Sequence, residues 1–216
     1  MAFSPRSPQL IRGGLVVVDA DTGQTRRIIT LQYNPDTHTR SLQIKGVGAE
    51  PSEFSESMRL KGPPVESIKL EAEIDATDKL EAGDSSALTL GLHAQLALLE
   101  TLVYPSSTRL RQNNREAAAG SIEIVAMQGP LILFIWSKTR VLPVRITEFS
   151  ITEESFDATL NPLRAKVSLT LRVLTVDDLG FDHRGGNLFM SYLEQKEQLA
   201  SRIANASLGA LGITGI

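Results

Sequence analysis

Strict alternation of apolar and polar residues between Val65 and Asp75 predicts a β-strand with two chemically different faces. Such a strand is expected to bury its apolar face and to present its charged face to water or to a partner. The apolar face consists of Ile68, Leu70, Ala72 and Ile74, and the charged face consists of Lys69, Glu71, Glu73 and Asp75.

The N-terminal part of the chain also has the pattern of extended structure. Two β-branched runs, residues 15–18 and 27–31, flank a turn sequence at 19–23, and this arrangement predicts a β-hairpin. Alternating residues at 40–45 predict a third strand. Residues 46–64 are rich in Gly, Pro, Ser and Glu, so we expect a long loop there.

Leucines that recur every three or four residues predict a middle helix over residues 86–103. Short polar side chains at 84–86 are suited to cap its start, and Pro105 is expected to end it. The polar stretch 106–119 is predicted to be a loop. A second helix is predicted over 188–208, where apolar residues again share one stripe.

The second half of the chain contains further candidate strands at 122–127, 131–136, 140–146, 149–152 and 166–175. The alternation slips by one residue around Thr147, which predicts a β-bulge. Together these elements indicate a mainly β, α+β fold, a barrel or sandwich with a middle helix and a C-terminal helix. Its core is expected to include Ile68, Leu70, Ile74, Phe134, Trp136, Phe149, Val167, Leu169 and Leu171.

We predict two regions. Residues 1–179 form the β domain, and residues 180–216 form a linker with a C-terminal helical extension. The chain has 216 residues, of which 42% are hydrophobic and 22% are charged, as expected for a globular protein.

The charge and residue content exclude several kinds of site. The net charge is −3 and the 22 basic residues are dispersed, so the sequence does not indicate nucleic-acid binding. The absence of cysteine excludes disulfides and thiolate metal sites. The N-terminus has no apolar segment typical of a signal peptide, and the longest apolar run, 130–136, is too short to span a bilayer. We therefore expect cytoplasmic assembly without membrane insertion.

The three histidines, His38, His93 and His183, do not have the spacing of a metal-binding motif. One local stretch, Asp182-His183-Arg184 before two glycines, combines an acid, an imidazole and a guanidinium. Residues of these types are also common in a linker before a helix, and no second catalytic motif accompanies them. We therefore predict a non-enzymatic protein without a cofactor or metal, and keep as an alternative an enzyme or carbohydrate-binding β-domain that uses this loop.

Five segments, in this order, resemble the contractile injection system tube protein family. Residues 31–35 (LQYNP) are similar to its L-x-F-N-P element, and residues 62–75 are similar to the glycine and charged strand that follow it. A helix through 96–99 comes next. Residues 129–136 (GPLILFIW) resemble the P-P-x-V-x-F-x-W-G strand. Residues 144–156 together with 161–167 (NPLRAKV) resemble the strand, turn and strand that close the family's barrel.

The chain also departs from the family pattern. Ser137 stands where glycine is usual, Tyr33 replaces phenylalanine, and Leu160-Asn161 replaces an Asp-Gly turn. Many members carry a peptidoglycan-binding LysM module after the barrel. Residues 180–216 lack its pattern, so sugar binding is not carried over.

The resemblance implies a tube-like β-barrel that forms a homo-hexameric ring in the baseplate of a phage-tail-like particle. The ring would join the spike hub protein to the inner tube protein, contact other baseplate subunits and initiate tube assembly. The main inner tube subunit of the same machine is the alternative. We expect the 46–64 loop to reach an adjacent subunit. We also expect the side chains that face the lumen or a ring neighbour to be Lys69, Glu71, Glu73 and Asp75.

Overall fold

Seven antiparallel strands form one sheet in the computed structural model, which describes residues 10–46, 59–120, 129–203 and 208–212. This architecture confirms the mainly β, α+β class. The strands are β1 (Gly14–Val18), β2 (Thr25–Thr30), β3 (His38–Gln43), β4 (Val65–Asp75), β5 (Leu131–Ser137), β6 (Arg140–Phe156) and β7 (Pro162–Val173), and their order across the sheet is β2-β1-β5-β6-β7-β4-β3.

Helices lie between β4 and β5 and after β7. The first group comprises α1 (Thr77–Glu81), α2 (Ser85–Leu90), α3 (His93–Glu100) and α4 (Ser107–Ala118). The second comprises α5 (Val176–Leu179), α6 (Arg184–Ser201) and a 3₁₀ turn at Leu208–Leu211. Within the described ranges, none of the helices has the length and apolar content needed to cross a membrane.

The strands follow the predicted pattern closely. The N-terminal hairpin is β1 and β2, and β4 has the predicted boundaries. The two candidates at 140–146 and 149–152 are one long strand, β6, whose pairing with β7 shifts between Ile146 and Glu148. The bulge predicted at Thr147 is therefore confirmed. The strand candidate 122–127 and residues 47–58 of the predicted loop lie outside the described residues.

The predicted continuous helix over 86–103 is wrong, because the chain breaks at Gly91. Gly91 has φ +54°, in the left-handed region, and ends α2. Leu92 then donates its backbone N–H to the carbonyl of Pro162, at 2.8 Å, before α3 begins. A Cβ at position 91 would lie 2.5 Å from that carbonyl oxygen, so the break depends on close approach to the β6–β7 turn.

The loop predicted at 106–119 is also wrong, because these residues form α4. Ser106 caps this helix by accepting from the backbone N–H of Arg109 at 3.3 Å. None of the α4 side chains is buried, so the helix lacks the apolar stripe that sequence patterns reveal. Its Arg, Gln, Glu and Ala residues have high helix propensity, which explains why the segment is helical.

The C-terminal helix begins earlier than predicted, at Arg184, and ends at Ser201. Gly185 and Gly186, expected in a loop, are buried in its first turn. A Cβ on Gly186 would lie 2.0 Å from the Gly180 carbonyl oxygen, so only glycine allows this approach. Side chains of α6 then enter the same core as the sheet, through Phe189 and Tyr192.

The core fills the apolar side of β4, β6 and β7 and is covered by α3 and α6. A second buried cluster lies on the opposite face of β1 and β5, beneath Leu179 and Leu188, so β5 is buried on both sides. Three expected core residues, Ile74, Trp136 and Phe149, are partly buried against the main core. The others are buried, namely Ile68, Leu70, Phe134, Val167, Leu169 and Leu171.

Strong curvature brings distant strands of this sheet together. In the sheet order β3 and β5 are separated by three strands, yet the His38 ring on β3 lies 4.7 Å from the Trp136 ring on β5. The amide of Gln32, just after β2, bonds both the backbone N–H and the carbonyl of Asp75 at the end of β4, at 3.0 and 2.9 Å. The sheet therefore wraps around its core.

Candidate functional site

One face of β4, β6 and β7 is polar along the five rows in which residues of all three strands pair. Every residue on it is exposed or half-buried, while alternate residues on the same strands enter the core. We call it the polar sheet face. Its five cross-strand rows are Ser67–Arg172–Arg145, Lys69–Thr170–Glu148, Glu71–Ser168–Ser150, Glu73–Lys166–Thr152 and Asp75–Arg164–Glu154.

The charges on the polar sheet face are balanced. Its five cations and five carboxylates sum to zero at pH 7, and all its other residues are Ser or Thr. Lys166 pairs with Glu154 at 3.5 Å, and Arg172 pairs with Asp178 of α5 at 2.6 Å. The Lys166–Glu154 pair is exposed and adds little stability, whereas the Arg172–Asp178 pair is half-buried. The polar sheet face is therefore a hydrated surface whose charges balance.

Three of the predicted lumen or interface residues, Lys69, Glu71 and Glu73, are exposed on this face. Within the described ranges they form no ion pair and no side-chain hydrogen bond. The structure brings them together with the polar residues of β6 and β7, which sequence reasoning did not assign to the same surface. Cross-strand register, not any local motif, produces this grouping.

Asp75, the fourth candidate, has a structural role at the end of β4. Its carboxylate accepts the backbone N–H of Thr77 at 2.8 Å and the Thr77 hydroxyl at 2.5 Å, and it pairs with Arg164 at 3.0 Å. The Thr77 hydrogen bonds and the Arg164 charge lower the pKa of Asp75 below 3.8. The residue therefore fixes the junction between the end of β4 and the first residue of α1.

The segment 33–37 forms a groove of about 410 Å³ against Glu71 and Glu73. Asn34 holds this segment in place, because its side-chain oxygen accepts the N–H of Gly13 and its amide donates to the Ile11 carbonyl, both at 2.9 Å. Asn34 therefore fixes residues 11–13 against the segment 33–37, which lies beside the polar sheet face.

A buried ionic cluster, missed by sequence reasoning, lies on the other side of β4. Glu66 has only 4% of its side chain exposed and pairs with Arg40 at 2.6 Å and with Lys196 at 3.2 Å. The hydroxyl of Tyr192 accepts from Arg40 at 2.8 Å and donates to Glu66 at 3.2 Å. The cluster joins β3, β4 and α6. In the alternating pattern of β4, Glu66 falls on the apolar face. A charged residue at a position expected to be apolar was therefore the sequence feature that could have indicated this cluster.

Electrostatics keep the Glu66 cluster ionised. Burial raises the pKa of Glu66, but the hydrogen bond from Arg40 and the charge of Lys196 outweigh this, and the net pKa is lowered below 4.5. Nearby, His38 bonds Arg140 at 3.0 Å. Burial, followed by the charges of Arg140 and Arg40, lowers the pKa of His38 below 6.5, so its ring is neutral at pH 7.

The predicted catalytic alternative, the Asp182-His183-Arg184 loop, lies at the start of α6. The His183 ring accepts the backbone N–H of Gly185 at 3.0 Å and so caps the helix. The Arg184 guanidinium lies over Gly23 in the β1–β2 turn, where a Cβ would be 2.3 Å from it. These contacts give His183 and Arg184 structural roles. The described ranges contain no group of three His, Asp or Glu side chains that could hold a metal ion.

Comparison with known proteins finds no protein-family model and no curated protein that matches this chain.

Proposed function

We propose that this chain is a structural baseplate subunit of a contractile injection system, which forms a ring between the spike hub and the inner tube and initiates tube assembly. The observation that carries the proposal is the polar sheet face, a wide surface of zero net charge backed by a buried core. A water-filled channel needs a wall of this kind, because apolar or strongly charged walls would retain what passes through it. In this proposal Lys69, Glu71 and Glu73 line the lumen.

The sheet edges supply surfaces for ring neighbours. β2 and β3 are the edge strands of the described sheet, and both carry exposed apolar side chains. Ile28 on β2 is 63% exposed, Leu42 on β3 is 49% exposed, and Ile44 just beyond it is 72% exposed. An uncovered edge with apolar residues is an aggregation hazard that a partner normally covers. A closed ring requires such heterologous contacts.

The first test is the size of the purified protein by light scattering, with negative-stain imaging of the particles. A hexamer of the 23.5-kDa chain has a mass of about 141 kDa and should appear as a ring. Ile28→Lys and Leu42→Lys are expected to reduce ring formation. Leu88→Lys, at a position that is also exposed but on α2, is the matched control and should leave the ring intact.

The second test examines particles from a strain that lacks this protein. Loss of inner tubes, with one ring of the chain per wild-type particle, supports the adaptor. Many copies along each tube would instead identify the main tube subunit. A strictly monomeric protein together with normal tubes in the deletion strain would refute both.

Glu71→Lys distinguishes the two possible orientations of the polar sheet face. If this face lines the lumen, the variant still forms rings, because the substituted side chain meets only water. If the face meets a ring neighbour, the variant fails to assemble, since an unpaired charge would enter the contact.

A further inference from the structure

A small cleft opens beside the Glu66 cluster, between α6 and the β5–β6 turn. Its volume is about 240 Å³, below the 300–1,000 Å³ typical of sites for drug-sized ligands. The cleft therefore has room for one small group, and Leu199 adds an apolar side chain to its lining. Its walls include Arg40, Thr139, Arg140, Tyr192, Gln195 and Lys196.

Positive charge exceeds negative charge around this cleft. Its walls carry three cations, and the carboxylate that contacts them is Glu66, which engages Arg40 and Lys196. Arg140 has no acidic partner within the described ranges. Its side-chain hydrogen bond goes to the ring of His38, which is neutral at pH 7. The cleft and its hydrogen-bonding partners thus retain two uncompensated positive charges.

We propose that this cleft binds a small oxyanion, a carboxylate or phosphate group, through Arg140 and Lys196. The guanidinium offers a planar pair of donors that matches either oxyanion, and the ammonium adds a second charge. Thr139 and Gln195 supply neutral donors on the same walls. Arg40 is already bonded to Glu66 and Tyr192, so its role is to hold the cluster in place.

This inference concerns each subunit by itself and does not depend on ring formation. A ring that fails to form would leave the cleft unchanged, and an empty cleft would leave the ring proposal unchanged. The two experiments can therefore fail independently.

The test is an NMR titration of the histidine ring signals in deuterated protein carrying ¹³C-labelled histidine. Inorganic phosphate and acetate are added separately at constant ionic strength, balanced with chloride. A bound anion beside Arg140 should raise the pKa of His38 by about 0.5, because it offsets the positive charge that disfavours the imidazolium. The response should saturate, and the His38 signal is assigned by its loss in His38→Gln.

Arg140→Gln is expected to abolish the anion response and, by removing a cation, to raise the pKa of His38 in the absence of any anion. In the described part of the chain neither a hydrogen bond nor an ion pair joins Arg140 to Glu66, so the buried cluster should remain intact. Arg145→Gln, an exposed arginine on the polar sheet face, is the matched control and should respond like the wild type.

A response to phosphate alone, to acetate alone or to both supports the cleft and identifies which oxyanion it accepts. Absence of any saturable response to either anion overturns the proposal. So does a response that persists unchanged in Arg140→Gln, because the anion would then bind elsewhere.

Discussion

Glu66→Gln tests whether the buried ionic cluster contributes to stability. The substitution keeps the shape of the side chain and removes its charge. Arg40 and Lys196 then lose their counter-charge, although their side chains are 26% and 36% exposed. Removing one partner of a fully buried ion pair costs about 3–5 kcal/mol. Partial hydration of the two cations reduces this cost, so we expect a loss of about 2–3 kcal/mol in the free energy of unfolding.

The loss is measured by urea denaturation at pH 7, followed by the fluorescence of Trp136, the only tryptophan. Protein concentration is varied so that any contribution from assembly is separated. Glu71→Gln, on the exposed face of the same strand, is the matched control and should change stability by less than about 0.5 kcal/mol.

The pH dependence supplies an independent check. Because the folded-state pKa of Glu66 lies below its ordinary value of 4.5, its contribution is present above that pH and is lost as the pH falls through the folded-state value. As the pH falls below 4.5, the free energy of unfolding should therefore decrease less in Glu66→Gln than in the wild type. The reasoning is refuted if Glu66→Gln is as stable as Glu71→Gln at pH 7.

Three further substitutions test other parts of the structure. Gly91→Ala should lower the free energy of unfolding in urea by more than about 2 kcal/mol, because it combines a left-handed backbone with a clash against the Pro162 carbonyl. Gly83→Ala is its control, with φ +71° and open space, and should lower it by about 1 kcal/mol. Because the folded-state pKa of His38 is lowered, the contribution of neutral His38 to stability is present above pH 6.5 and is lost as the pH falls below that value. His38→Asn should reduce this acid-induced decline in the temperature of thermal unfolding. The Asn161 hydrogen bonds lower the pKa of Asp157 to about 2, so Asp157→Ala should lower stability at pH 7 and remove the decline between pH 3.8 and about 2.

Each of these expectations has a contrary outcome. Equal losses in Gly91→Ala and Gly83→Ala would show that the contact with Pro162 is relaxed without cost. An unchanged pH profile in His38→Asn would mean that burial and the charges of Arg140 and Arg40 do not disfavour protonation of His38. If Asp157→Ala still loses stability between pH 3.8 and about 2, other carboxylates are responsible for that loss.

Sequence reasoning was most successful where one side of an element faces the core. The alternation in β4 predicted its boundaries and its exposed charges, because the side-chain period of a strand is two and burial enforces the register. The bulge at Thr147 was visible for the same reason, since a single extra residue reverses the alternation. It was least successful for α4, whose side chains are not buried and whose sequence therefore has no apolar stripe.

The break at Gly91 shows a different limit. Leucine spacing continues through this position, so the sequence pattern is that of one helix. The chain breaks because Leu92 bonds the carbonyl of Pro162, and that partner lies about seventy residues away in the chain. Local patterns do not contain contacts of this kind.

The sequence by itself determined the strand faces, the mainly β class and the residues that line the core, because burial of alternate side chains is a local and periodic requirement. Only the tertiary structure decided which polar residues share a surface. Register aligned Glu71 with Ser168 and Ser150, and curvature brought His38 beside Trp136. The packing of α6 placed Lys196 beside Glu66, 130 residues earlier in the chain. These groupings depend on how elements pack in three dimensions, and no single segment encodes them.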